Sequence, residues 1–557
     1  MNLEPLTRQL GMPAKPTKPI VLESLGVKGL NTQSQNAALG PEWLTDATNV
    51  VYDLQGRMGP RKGAKQITKT IASPLKSLGC YVKADRTREC YGGSGATIVK
   101  LDTSVTPNSL TTQSFSGTPQ TITDSNWQWV NFNDEFWGVQ SDHKVINLTT
   151  TTWSDIDDMG AYAAPSGPTT FDPSCALGEF GRMWFGGITE DVGVLWYSDN
   201  LIGEKLTGGA AGSLDLKTVW GNDEIVGLSS IEDKIIIFGK QNIVIYTGAS
   251  DPSTMVLFDL ITGVGLAGRD NIVSLGADIV FLSYEGLRSI NRVTQSDGKN
   301  PVGDLSIAVR NDLTHVVNNA DLDTVKSVYH QEDGLVLTFF PDQNLTYCFD
   351  FSLGISQLPR ITTWTFADDP LSAMSTIDGK LYMGVSNSIV EYDGYYDVTI
   401  ADTTATYANE GVCVAGGDTW ETSTCWGYTN VEYNWTFQSP WLDLGDPVFA
   451  KIVKRGLLTI TGGQGAASTI TISKDYEEDS TYSKTFNLTT DAISYLWGAA
   501  SSLYGAAKYA PAEGPKEYRV PLARTGKTIR IKLVTEVKGH YSSLVNTTLL
   551  TKQGKIR

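Results

Sequence analysis

"GRMWFGGITEDVGVLWYSDN", Gly181–Asn200, decides how the rest of the chain is read. Two apolar, β-prone runs, Met183 to Phe185 and Val194 to Tyr197, flank a loop of Gly, Thr, Glu and Asp, and this predicts a hairpin. No nucleophile, metal cluster or phosphate cradle accompanies it. The same unit of β-run, tight turn, second β-run and polar link recurs on both sides. Upstream it is "SLGCYVKADRTRECYGG" and "WQWVNFNDEFWGVQSDHKVINL", with turns expected at Ala84 to Thr87 and at Asn133–Asp134. Downstream it is "IVGLSSIEDKIIIFGKQNIVIYTG", "IVSLGADIVFLSYEGLRSINRV", "VKSVYHQEDGLVLTFFPDQNLTYCFDF" and "LSAMSTIDGKLYMGVSNSIVEYDG". Starts recur roughly every 45 to 55 residues, the spacing of four-stranded propeller blades. Asp333-Gly334 and Asp378-Gly379 supply the positive φ angles that tight hairpins need. The expectation is an all-β chain with a β-propeller of about six or seven blades over 73–398. A large meandering β-sandwich is the competing reading, and the persistence of the period favours the propeller.

Composition agrees with this class. The 557 residues include 55 Gly, 14 Trp and 23 Tyr, and Lys-, Glu- and Ala-rich helical stretches are scarce. A formal charge of −17 argues against a general nucleic-acid binder, whose affinity comes from Lys and Arg neutralising phosphates, although it does not exclude DNA passing nearby. The opening "MNLEPLTRQLGMPAKPTKPI" lacks the apolar core of a signal peptide, and apolar runs such as Ile235 to Phe238 are too short to span a bilayer. Synthesis in a cytoplasm is therefore expected. Six cysteines (Cys80, Cys90, Cys175, Cys348, Cys413, Cys425) form no C-x-x-C pair; Cys413 and Cys425 share one loop and could bridge, but a reducing compartment favours free thiols.

Outside the repeats, residues 1–24 read as an extended Pro-rich arm that orders only on a neighbour, and 25–72 as a strap leading into the propeller. A composition shift begins at Asp397 to Gly417, and beyond it Ile529, Ile531 and Leu533 alternate with Thr528, Arg530 and Lys532. Residues 399–557 are therefore expected to form a β-sandwich-like domain, with a loop insertion near 480–520.

The chemistry-bearing groups are dispersed. His143, His315, His330 and His540 stand singly, without an H-E-x-x-H motif, so no metal site is expected. "YGGSGAT", Tyr91 to Thr97, lacks the Lys of a phosphate loop and reads as a hairpin tip. The acidic clusters Asp155, Asp157, Asp158 and Asp475, Glu477, Glu478, Asp479 are local and hydrophilic, and read as solvated turns; catalytic carboxylates would converge from different blades. No enzyme activity and no cofactor are expected. One run departs from the acidic background: Arg57, Arg61, Lys62, Lys65 and Lys69 occur without a single acid between them. It has two readings, a solvated strand edge that blocks unwanted pairing or a contact to DNA or an acidic partner.

Residues 29 to 67, "GLNTQSQNAALGPEWLTDATNVVYDLQGRMGPRKGAKQI", resemble the opening of the tail nozzle and packaged-DNA stabilisation proteins (tail tubular protein B-like) of short-tailed bacteriophages. Their Gly-Leu-Asn start, "DA-N" turn and Gly-Arg…Arg-Lys-Gly ending carry the likeness. "GRMWFGG…VLWYSDN", "DKIIIFGKQNIVIYTG", "DIVFLSYEGLRSI" and "SPWLDLGDP…KIVKRGLLTI" follow in the same order, so the likeness touches about residues 25 to 460; residues 480 to 525 have no counterpart. The resemblance implies a structural virion protein of the viral tail, a homohexamer forming a nozzle ring below the portal. Its implied partners are further copies of itself, tail adaptor or portal-proximal proteins, tail fibre or spike proteins, and double-stranded DNA passing without sequence specificity. The main alternative is a carbohydrate-binding or glycosidase-like propeller of a tail spike, since exposed Trp and Tyr would stack on sugars; a third is a cytoplasmic scaffold.

Overall fold

The computed structural model describes residues 17–553 except Leu54, 150–151, 157–170, 295–302, Ile377, Ala405, Ala408, Thr422, 446–447 and 490–514. The chain divides into two compact units: one comprises 30–33 and Arg61–Tyr433, the other 1–29, 34–60 and 434–557. Each is all-β.

The first unit is a β-propeller of seven blades. The blades begin at Leu75, Gln128, Pro173, Ile225, Ile272, Lys326 and Pro370, one for each repeat read from the sequence, so the count is seven. Gly181–Asn200 falls in the third blade, whose strands are Pro173–Glu179, Arg182–Ile188, Val194–Tyr197 and Gly212–Asp215. Its first turn places Phe180 and Gly181 at φ 56° and 68°. The turn in the second blade uses Asn133 and Asp134 at 48° and 59°, the left-handed pair that matches strand twist. Among the described residues the fifth blade has three strands, Ile272–Ser274, Ile279–Ser283 and Gly286–Ser289, with a bridge from Arg288 to Asp304 in the fourth position.

Stacking supplies the core. The apolar face that one blade cannot bury alone is covered by the next: Tyr81, Tyr91, Trp127, Phe136 and Trp153 form one cluster between the first and second blades. Trp137, Met183 and Phe185 join the second and third blades, and Trp184, Leu195, Leu228 and Val244 the third and fourth. Aromatic pairs are frequent here; Trp129 and Phe136 stack at 5.2 Å and Tyr91 meets Trp153 edge-on at 5.5 Å. Each such pair adds on the order of 1 kcal/mol beyond burial.

The ring is closed by a strand from upstream of the first blade. Ala64–Gln66 pairs antiparallel with Ser388–Tyr392 and is the fourth strand of the seventh blade. Ile67 N–H donates to the carbonyl of Ile389 at 2.9 Å, and Ile71 N–H to that of Asn387 at 2.9 Å. The expected strap over 25–72 is thus two things: residues from Arg61 onward belong to the propeller, and 34–60 to the other unit. The boundary expected at 398/399 also moves, to Tyr433. Asp397–Asp402 bridges in parallel to Lys65 and pairs antiparallel with Thr424–Val431, which extends the seventh sheet outward. Here Cys413, on the helix Glu410–Ala415, is disulfide-bonded to Cys425, so the free thiols expected at these positions are replaced by a bridge.

The second unit has two antiparallel sheets. One orders Val50–Tyr52, Met58–Pro60, Ser542–Gln553, Lys451–Gly462 and Lys516–Gly526; Lys18–Leu22 also pairs along Ser542–Gln553. Residues 18–22 of the expected arm are therefore a strand of the unit's own sheet, while 1–16 lie outside the described residues. The other sheet includes Asp46–Thr48, Ile529–Val537, Ala467–Lys474 and Glu477–Asn487. Ile529, Ile531 and Leu533 are fully buried with Ile470 and Ile472, as the alternation demands. Much of the insertion expected near 480–520 lies outside the described residues.

Candidate functional site

A cavity of about 460 Å³ lies on the propeller axis, lined by the first strands of every blade but the third. Three charged side chains meet in it. Arg269 donates from Nε and Nη2 to the carboxylate of Asp270 at 3.1 and 2.9 Å, and Lys326 Nζ bonds the same carboxylate and the side-chain oxygen of Asn126. Arg269 also reaches the carbonyls of Ser174, at 3.2 Å, and Asn126, at 2.9 Å. Burial alone would raise the Asp270 carboxyl, but the two cations outweigh it and hold it far below the usual carboxylate range. Burial lowers Lys326, against the pull of Asp270. With two cations bonded to one carboxylate, the cluster is an ionic tie. It links the approach to the second blade, the third blade, the approach to the fifth and the start of the sixth. Sequence reasoning missed it. Arg269-Asp270 is an adjacent pair, but Asn126 and Lys326 lie far away in the chain and no local pattern joins them.

The cavity volume falls in the small-molecule range. Around it stand hydroxyls of Ser77, Ser229, Ser327, Ser372 and Ser375 and the rings of Trp127 and Trp129. Among the described residues no group of three His, Cys, Asp or Glu could hold a metal ion. His143 packs edge-on to Trp127 at 5.0 Å, His330 to Tyr392 at 5.5 Å, and His315 contacts Asn319, so these three histidines serve separate places. Ser94 to Thr97 is a hairpin tip. Asp475 accepts from the N–H groups of Lys527 and Thr528 and Glu478 pairs with Arg530 at 2.9 Å, which are turn and ladder roles. Asp155 accepts from Gln120 N–H at 2.5 Å, whereas Asp157 and Asp158 lie outside the described residues.

The basic run does not form one surface. Arg57 belongs to the second unit, paired with Asp53 at 2.6 Å. Arg61 is buried: its guanidinium makes two 3.0 Å bonds to Asp397, donates to the carbonyls of Lys62 and Thr365, and lies 4.4 Å from the ring of Phe366 and 4.2 Å from that of Tyr433. Lys62 pairs with Asp333 at 3.1 Å and lies over Tyr392, and Lys69 pairs with Glu421 beside Trp426. Lys65 is exposed on the closing strand. Arg61, fully buried, is thus removed from the expected contact. Four of the run's cations carry ion pairs within their own unit: Arg57 with a carboxylate four residues away, and Arg61, Lys62 and Lys69 with carboxylates supplied by distant parts of the chain.

An exposed apolar edge is a further feature, with Lys234 Nζ over the ring of Phe258 at 5.2 Å. Val256–Thr262 is the outermost strand of the fourth blade, and Val256, Leu257 and Phe258 are 61%, 42% and 57% exposed. Three successive apolar side chains on an edge that is unpaired among the described residues are unusual, since such edges template association.

No family model and no curated protein matches the chain. Similar solved structures include the WD40 repeats of RRP9, at 9% identity and TM-score 0.39, covering 60% of this chain and 99% of that one. The Neurospora crassa Pan2 WD40 domain matches at 10% identity and TM-score 0.37, covering 59% and 95%. Streptogramin B lyase matches at 11% identity and TM-score 0.37, covering 59% and 97%. These are distant likenesses of fold and carry nothing about activity.

Proposed function

We propose that the chain is a structural virion protein, a subunit of a tail nozzle ring that continues the DNA channel of a short-tailed bacteriophage, retains packaged DNA and lets it pass at ejection. The observation that carries the reading is the exposed apolar edge at Val256, Leu257 and Phe258, a surface suited to burial against another copy, in a chain whose clustered charges are ionic ties. The order of nozzle-like phrases along the sequence supports the particular assembly. The axial cavity of the propeller is of small-molecule size, so DNA would run between copies and not through a propeller. A sugar-binding spike would need clustered open aromatic platforms; among the described residues no Trp is exposed, and the exposed Tyr428 and Tyr476 lie in different units.

The test is the mass of the purified chain, alone and mixed with tail adaptor, by light scattering after size exclusion. A closed ring, expected to be a hexamer, is the predicted outcome, weakened by Leu257→Asp with Phe258→Asp. A trimer that cleaves polysaccharide, or a persistent monomer that no adaptor recruits, sinks the proposal.

A further inference from the structure

Cys80 and Cys90 face each other across the first hairpin of the first blade, in register within an antiparallel ladder. Hydrogen-bonding parity at the hairpin end fixes what kind of pair they form. Lys83 N–H donates to the Thr87 carbonyl at 3.0 Å, which puts the hydrogen-bonded pairs at Tyr81–Glu89 and Gly79–Tyr91. The backbone beside Cys80 turns the other way: its carbonyl accepts from Asn131 Nδ2 at 2.8 Å, and Val82 N–H donates to Asn131 Oδ1 at 3.0 Å. Cys80–Cys90 is therefore a non-hydrogen-bonded pair, in which Cα atoms approach to about 4.5 Å and side chains are closest. That separation lies inside the range a disulfide spans. Both residues are partly exposed, Cys80 lines the axial cavity, and both pack beside Tyr382 at the seam with the seventh blade.

We propose that Cys80 and Cys90 are a reversible dithiol–disulfide site that exchanges with small disulfides of the glutathione class. The hydrogen bond between the two thiols lowers Cys80, with help from the charge of Arg88, and together with burial raises Cys90. Cys80, the one of the two that lines the cavity, is the attacking thiolate. It displaces one thiolate from the small disulfide and forms a mixed disulfide. Cys90 then loses its proton to solvent, attacks the Cys80 sulfur and releases the second thiolate. Two protein thiols are oxidised to one disulfide, and one small disulfide is reduced to two thiols. Cys175 and Cys348 take no part: both are buried, and burial pushes the Cys175 thiol up to about 12. Cys413–Cys425, already bridged, is enclosed on both sides. The site is independent of the proposed assembly, since both cysteines and their neighbours lie within one propeller.

The full chain is equilibrated in buffers of graded reduced-to-oxidised glutathione ratio, alkylated, and peptide-mapped by mass spectrometry. The expected result is that Cys80 and Cys90 lose alkylation together as the ratio turns oxidising, appear as one cross-linked peptide pair, and regain it on reduction. Cys90→Ser should trap glutathione on Cys80, and Cys80→Ser should yield about tenfold less adduct on Cys90. The wild-type map decides even where a variant folds poorly. Alkylation of both cysteines at every ratio, or stable glutathione on Cys80 without the cross-link, would overturn the proposal.

Discussion

Arg61 shows how a cation that reads as a surface contact can be an internal strut. Its neighbours in sequence are basic, while the carboxylate that binds it is 336 positions away. No local pattern announces that partner, so the basic run was legible as a charge feature and not as a set of separate pairs. Desolvating a guanidinium is costly, and here two bonds to Asp397, two carbonyls and two aromatic rings offset the cost. Removing one partner strands the other. Arg61→Met should destabilise the propeller by about 3–5 kcal/mol in chemical denaturation, because Asp397 stays buried without its counter-ion. Adding Asp397→Leu to that variant should restore a large share, the signature of direct coupling. A loss below about 1 kcal/mol for Arg61→Met would return the residue to the solvated-edge reading.

At the scale of the element, legibility followed sequence distance. Within six blades each strand pairs with the next in the chain, so the alternation of β-run and turn exposed the blades, while the choice between six and seven waited on the fold. The closing strand was hidden for the opposite reason. Ala64–Gln66 has three residues, two of them polar, and its pairing partner lies at the far end of the ring. The disulfide was missed because its expectation rested on compartment, whereas the fold sets helix Glu410–Ala415 against strand Thr424–Val431. If the closing segment holds the seam, Ile67→Pro should open it: the substitution removes the N–H that bonds Ile389, and Gln66 before it, being in a strand, already has the extended backbone that a following proline requires. Hydrogen exchange should then quicken in Ser388–Tyr392 and Leu75–Val82, with Lys234–Gly239 in the fourth blade unchanged. Uniform quickening would mean that closure is global and not local to the seam.

For the whole molecule, charge decides how it can deal with DNA. The chain carries −17, and of the basic run Arg57, Arg61, Lys62, Lys65 and Lys69 only Lys65 stands fully exposed. DNA affinity of the non-specific kind comes from counterions released as Lys and Arg neutralise phosphates, with log K falling by about 0.9 per phosphate neutralised for each tenfold rise in salt. A ring of such subunits would repel a duplex weakly along its length, which suits passage; a basic wall would bind and slow it. Retention then has to come from a steric constriction. The purified chain should accordingly show no binding to a fluorescent duplex by anisotropy at either 50 or 200 mM salt, conditions between which a protein making six to ten phosphate contacts loses roughly 10³ to 10⁵ in affinity. Binding in the micromolar range with a steep salt slope would show that a basic surface forms after all, and weak repulsion could then no longer account for passage. A nozzle whose assembled ring stays inert to DNA, while particles lacking it leak their genomes, would tie retention to shape.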